Sequence, residues 1–467
     1  MHRTLLSKTI AFSAFVLSAS IALPLAASQT VSETAKQAIE YNPEVQDTWY
    51  RFQGSEYDLD SARAGYRPTI DLNANYGREI RSGSGWSAGT KSPFNGGRAE
   101  VSLVQMLYDG FQTSGSVASA EQSRIANYFQ LVQQTQNTAL DAYAAHLDVV
   151  RGRQLVELAE QNLKEHRKVF RQIQMSSNAG VGNNADLDQI TGRLSLAHAN
   201  LITSRSDLNA IESRYMRVVG AMPPAELSTP QESPVPYTAG QAFARALRDN
   251  PQFLSSLYRI KASEADVDAS KSGYHPRVNL TARYGSQDYD DRGLDNSRTD
   301  GRIAIELHYN LYNGGRDKAA IKSAYNRVNQ SKAQRDSACT SVRQNLQVAY
   351  QDTVTYKDQI PVLEQHKQAS NRVRQAYKDQ FLIGRRSLLD VLDAENEYFQ
   401  ASRALVQAEL DYALATARTQ NAMGTLLQTL GIMRDDLPSL SELGADAIAV
   451  DPNTACPTSE IVLTRAD

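Results

Sequence analysis

Cysteine is almost absent from this chain, with only Cys339 and Cys456 among 467 residues. Two thiols 117 positions apart form no metal-ligand spacing and at most one bridge. In an oxidising compartment a bridge is open to them, but the expectation is two unrelated thiols. Histidine is scattered, with no i, i+4 pair of the HExxH type, so no zinc site is expected. Charge of one sign is also lacking: the net charge is −3, which excludes a strongly basic nucleic-acid surface as the main theme. Beyond residue 28 no run of 18 apolar residues occurs, so no membrane-spanning helix is expected. The glycines Gly83, Gly85 and Gly89 open no helix and read as a loop, not a phosphate cradle. No nucleophile with a base, no cofactor motif and no catalytic constellation can be assembled, so neither an enzyme nor a cofactor is expected.

Residues 1–28 have the composition of an export signal. Arg3 and Lys8 precede an apolar stretch from Ile10 to Leu23, and Ala26-Ala27-Ser28 supplies small residues for cleavage. The reading favours removal over a retained anchor, because the apolar stretch is short for a span.

The rest of the chain says one thing twice. Asn42-Pro43 recurs as Asn250-Pro251, Gly65-Tyr66 as Gly273-Tyr274, Pro68 as Pro276 and Tyr76-Gly77 as Tyr284-Gly285, all at an offset of 208. Leu107-Tyr108 with Gly110 returns as Leu311-Tyr312 with Gly314. The reversal Val181-Gly182 is matched to Ile383-Gly384 and Asp188 to Asp390, with a drifting offset. A period near 200 residues is too long for a solenoid and describes a duplicated half. The expected repeats are 29–221 and 239–430, joined by a linker at 222–238 with five prolines. A tail at 431–467 follows; it has lost the heptads and is expected to be loosely ordered.

Each half opens with a helical segment, 32–65 or 240–273, that ends in Gly-Tyr-x-Pro, since the residue before proline is pushed out of the α region. The period then changes to two. Ile70, Leu72, Ala74 and Tyr76 alternate with polar residues, as do Val278, Leu280, Ala282 and Tyr284. A second alternating run carries Val101, Leu103 and Leu107, or Ile303, Ile305, Leu307, Tyr309 and Leu311. The expected strand pairs are 67–80 with 98–109 and 276–288 with 301–312. A soluble sheet shows the same alternation. The export signal and the 22 tyrosines, several at strand ends, favour a membrane barrel with a greasy outside and a wet inside.

Long helical hairpins follow, over 112–221 and 315–430. Gln112 to Met175 contains no proline, enough for a helix of roughly 95 Å. Leu187, Ile190, Leu194, Ala197, Leu201, Leu208, Ile211 and Tyr215 make a heptad seam on the return; Leu389, Leu392, Phe399, Val406 and Leu410 do so in the second copy. Pro361 is expected to bend or interrupt its helix. Four strands cannot close on themselves, and an open edge cannot stand in hydrocarbon, so sister chains must contribute.

With these features in hand, the chain resembles the TolC family of outer-membrane channels over roughly residues 30–430. The resemblance rests on the duplication, the strand ends Leu107-Tyr108-Asp109-Gly110 and Leu311-Tyr312-Asn313-Gly314-Gly315, the helix pairs, and the run from Ile383 to Asp393. It implies an α+β membrane protein: coiled-coil helices form an α-barrel, and four strands per chain enter a twelve-stranded trimeric β-barrel. It also implies a periplasmic adaptor and an inner-membrane ABC transporter or proton-driven pump as partners. Type I secretion is the favoured reading, with multidrug efflux second and a periplasmic coiled-coil scaffold as the reading of another class.

Asp390 and Asp393 lie three residues apart on one helix face, a spacing that in a ring of chains concentrates negative charge. The resemblance places them at the periplasmic aperture, makes Arg386 and Asp188 its latch, and puts Phe381 where the family's latch has a tyrosine. Read from the residues alone, Asp390 and Asp393 solvate a helix end and Arg386 pairs with Asp390. The tips, including Gly182, Asn183, Gly384 and Arg385, are expected to meet the adaptor.

Overall fold

The computed structural model describes residues 28–81, 92–180, 183–230, 235, 238–291, 294–434, 437–445 and 456. The export signal, but for Ser28, and Gly182 therefore lie outside the described residues.

The duplication is closer in the fold than in the sequence. Helices α1 (Val31–Tyr41) and α2 (Pro43–Ala64) are matched by α5 (Ala239–Asp249) and α6 (Pro251–Lys271). The long helices α3 (Gln112–Asn178) and α7 (Arg316–Leu382) have 67 residues each, about 100 Å at 1.5 Å per residue. Their return partners α4 (Asn184–Val219) and α8 (Leu388–Met423) have 36 each. The offset is 208 as far as the first strand and then a constant 204 through both hairpins. Gly384 thus corresponds to Gly180 and Asp390 to Asp186, which corrects the matching of Gly384 with Gly182 and of Asp390 with Asp188.

The repeated Asn-Pro explains a break absent from the expected single opening helices. Asn42 and Asn250 leave the helical region and accept hydrogen bonds from Glu44 N and Phe253 N, while the prolines occupy the first helical positions, where no donor is needed. Pro361, in contrast, interrupts nothing: α7 continues through it. The carbonyl it frees belongs to Lys357, and both residues are exposed, so water satisfies the lost bond while the packing of α7 on α8 holds the rod.

Strands β1 (Thr69–Arg81), β2 (Ser92–Tyr108), β3 (Arg277–Asp291) and β4 (Leu294–His308) form one antiparallel sheet in chain order. The strands run further into the connecting loops than the alternation suggested, and β4 stops before Tyr309. The register aligns apolar rows across all four strands: Ile70 with Leu103, Ala282 and Ile303, and Leu72 with Val101 and Tyr284. Ile70, Leu72, Ile303, Ile305 and Leu307 are each more than two-thirds exposed, so nothing among the described residues covers this face. The opposite face carries Asp71, Ser102, Arg283 and Arg302 in one row and Asn75, Arg98, Gln287 and Arg298 in another.

Two consecutive residues of left-handed backbone turn each sheet end into a long helix. In the second copy they are Gly314 and Gly315; in the first they are Gly110 and Phe111, the latter at φ 69° and alone among the described non-glycine residues in having a positive φ. This is the physical content of the glycines after Leu-Tyr.

The largest core gathers Val31, Phe52, Leu131, Leu147, Tyr215 and Leu426 from α1 to α4 and α9 (Leu426–Leu430). The tail joins it through Ile432 and Leu443, and Arg124 donates to Leu443 O at 2.9 Å. A second core holds Cys339 and Cys456, which form a disulfide with Cα atoms 6.0 Å apart. The bond corrects the expectation of free thiols, and the described tail residues, Ile432, Leu443 and Cys456 among them, are packed where a loose tail was expected; the rest of the tail lies outside the described residues. Spacing along the chain could not reveal these contacts, because α7 and the tail are distant in sequence and close only in the folded chain. On α8 the buried seam residue is Leu388, at 3% exposure, and not Leu389, at 46%.

Candidate functional site

The two hairpins end side by side. At the end of α7, Gly384 takes φ 75°; its N–H donates to Phe381 O at 3.0 Å, and Arg385 N to Gln380 O at 2.8 Å, which closes the helix with a left-handed cap. Ser387 then starts α8 with a reciprocal cap: Asp390 N donates to Ser387 Oγ at 3.2 Å, while Ser387 N and Oγ donate to Asp390 Oδ2 at 3.1 and 2.8 Å. Those bonds, Ser387 Oγ first, hold the Asp390 carboxyl below its usual range, with a smaller contribution from Arg386. In the first hairpin Asn183 caps α4 by accepting from Ala185 N at 3.0 Å.

Under these turns lies an apolar cluster shared by all four long helices: Val169, Ile173, Ile190, Leu388 and Leu392, flanked by Phe170, Leu187 and Phe381. Phe381 thus packs inward. The tyrosine near Arg386 is Tyr377, one turn earlier, whose ring lies 4.2 Å from the guanidinium. Arg386 also donates to Gln380 Oε1 at 3.0 Å and stands 3.9 Å from Asp390. Asp188 is exposed near the start of α4 and does not meet Arg386 within one chain. Asp393 pairs with Arg193 of α4 at 3.2 Å.

Further inter-helix pairs flank the cluster. Lys378 on α7 donates to Glu165 on α3 at 2.6 Å, which lowers the pKa of that carboxyl. Arg374 reaches the buried Glu395 at 3.3 Å and lies over the Tyr398 ring at 4.2 Å. Sequence reasoning missed Arg193, Glu165, Arg374 and Glu395. A signal existed for Glu395: it occupies a seam position between Leu392 and Phe399, where a carboxylate must find a cation.

The arrangement offers a charged, rigid tip about 100 Å of helix away from an uncovered apolar sheet. The family profile described as outer membrane efflux protein matches residues 34–221 and 243–425. The outer membrane efflux protein BepC of Brucella suis is 28% identical over 427 residues, 91% of each chain. The alkaline protease secretion protein AprF of Pseudomonas aeruginosa is 24% identical over 83% of each chain. The outer membrane protein TolC of Escherichia coli is 22% identical over 93% of this chain and 88% of its own. In fold, the chain is similar to the crystal structure of a membrane protein from Pseudomonas aeruginosa, with a TM-score of 0.75 at 18% identity over 84% of this chain and 90% of that one. It is likewise similar to VceC of Vibrio cholerae, with 0.73 at 18% identity over 84% and 96%.

Proposed function

We infer, for a chain that belongs to the outer membrane efflux protein family, that three copies build one exit duct crossing the outer membrane and reaching through the periplasm. The protein is an outer-membrane channel with its helices in the periplasm, and it is not an enzyme. The observation that carries the trimer is the open sheet: its apolar face is exposed and both edge strands, β1 and β4, lack a second neighbour among the described residues. Unpaired backbone costs several kcal/mol per group in hydrocarbon, so the edges must meet sister copies. Eight strands would fill their own barrel with side chains, whereas twelve leave an open lumen lined by the Asp71, Arg98 and Arg283 face.

In this reading the tips, with Asn183, Gly384 and Arg385, receive a periplasmic adaptor, and an inner-membrane transporter supplies the cargo. Asp390 and Asp393 ring the narrow end, and Arg386 and Asp188 of adjoining helices latch it. The cargo is an unfolded polypeptide delivered by an ABC transporter, as the secretion role in AprF's name supports. Efflux of small molecules is the second reading, supported by the name of BepC.

Planar-bilayer recording tests the duct. The purified protein is expected to give stepwise, cation-preferring conductance, and Asp390→Ala with Asp393→Ala to reduce that preference. Absence of conductance overturns the duct. Deletion of the protein separates the cargoes: loss of one secreted polypeptide supports the first, and drug sensitivity with an unchanged secretome supports the second.

A further inference from the structure

Asp390 and Asp393 share a helix face but not an environment. Asp390 is occupied by its own helix end, through Ser387 and Arg386. Asp393 is held from the other repeat, by Arg193 Nη2 at 3.2 Å from its Oδ1. Each partner sits beside a buried anchor in the same cluster: Ile190 lies one turn before Arg193, and Leu392 immediately precedes Asp393. Packing of the two hairpins therefore sets the distance between the charges.

The pair also breaks the internal symmetry. At the constant offset of 204, the counterpart of Arg193 is Glu397, which pairs with His366 at 3.2 Å, and the counterpart of Asp393 is Gln189. Neither copy inherits this pair from the duplicated plan; it exists only where the first hairpin meets the second.

We propose that Arg193 is a specificity-setting residue of the duct, the counter-charge that cancels Asp393 while the hairpins are joined and releases it when they part. The inference rests on the reading that the two aspartates face the aperture. In the joined state Asp393 adds no net charge to the aperture, being held by Arg193 as Asp390 is held by its own helix end. Separation of α4 from α8 adds one carboxylate per chain to the field, so widening and cation preference rise together. The pair is partly exposed, so its contribution to folding is small and its removal leaves the apolar cluster intact.

The test is the reversal potential in a potassium chloride gradient across planar bilayers, for the wild type and for R193Q, R193K, D390N, D393N and R193Q/D393N. R193Q is expected to raise the potassium-to-chloride permeability ratio by about two- to five-fold, the scale of one charge acting through water. D393N should lower the ratio, R193K should match the wild type, and the double variant should return to within about the wild-type value. If D390N and D393N lower the ratio but R193Q leaves it unchanged, the counter-charge is overturned and the aperture stands. If neither aspartate variant moves the ratio, both fall.

Discussion

Tyr258 and Tyr50 are the same residue of the two copies, 208 positions apart, yet Tyr258 is 3% exposed and Tyr50 is 67% exposed. Tyr258 stacks on Phe129 of α3, with ring centroids 5.6 Å apart. α6 is covered because the long helix of the other repeat lies on it, whereas α2 shows the same face bare. The duplication predicts that α7 of a neighbouring copy covers it, with Ala333 in the place of Phe129.

The same mapping predicts the strand register between copies. Leu103 opposite Ala282 becomes Leu307 of one copy opposite Ala74 of the next, and Val101 opposite Tyr284 becomes Ile305 opposite Tyr76. Leu307→Cys with Ala74→Cys should therefore cross-link copies into a three-chain band on a non-reducing gel. Leu307→Cys with Asp71→Cys, which point to opposite faces, should not. Equal yields from both pairs would contradict the register.

His146 gives a pH dependence. The buried ring meets Ser228 O through Nε2 at 2.9 Å and Thr34 Oγ1 through Nδ1 at 2.9 Å, which ties the linker and α1 to α3. Burial, and to a lesser extent the charge of Arg153, lowers its pKa, against the pull of the Ser228 carbonyl. With a folded-state pKa below the unfolded value of about 6.5, the unfolded chain takes up more protons, so this stability is present above that pH and lost as pH falls through it. The thermal midpoint should drop between pH 7.5 and 5.5, and His146→Gln should flatten that slope. An unchanged slope would remove His146 as its source.

Much of this was legible in the chain. Alternation located all four strands and which face is apolar, because a sheet with one lipid face and one wet face needs period two. The long helices followed from the scarcity of proline and from the heptads. Two features that escaped were set by tertiary contact, the continuity of α7 through Pro361 and the Cys339–Cys456 bond. The split at Asn42-Pro43 was local instead, its capping geometry already encoded by the repeated dipeptide. At the tip, the spacing placed Asp390 and Asp393 on one face, but only the packing of α4 on the cluster brought Arg193 to Asp393.

The disulfide closes a long loop and fastens the tail over α5 and α7, where Cys456 is fully buried with Leu247, Phe253 and Leu346. Cys456→Ser should cost about 2–4 kcal/mol and make residues beyond Gly431 sensitive to limited proteolysis. A reductant should reproduce the effect in the wild type and add nothing in the variant. Equal protease resistance with and without the bond would contradict the strap.

The central claim is that four greasy-faced strands with two bare edges are completed only by sister copies. The direct measurement is the mass of the membrane-extracted protein in detergent, corrected for bound detergent by light scattering. The account predicts three chains per particle and none in the detergent-free fraction. A stable single chain in water would contradict it.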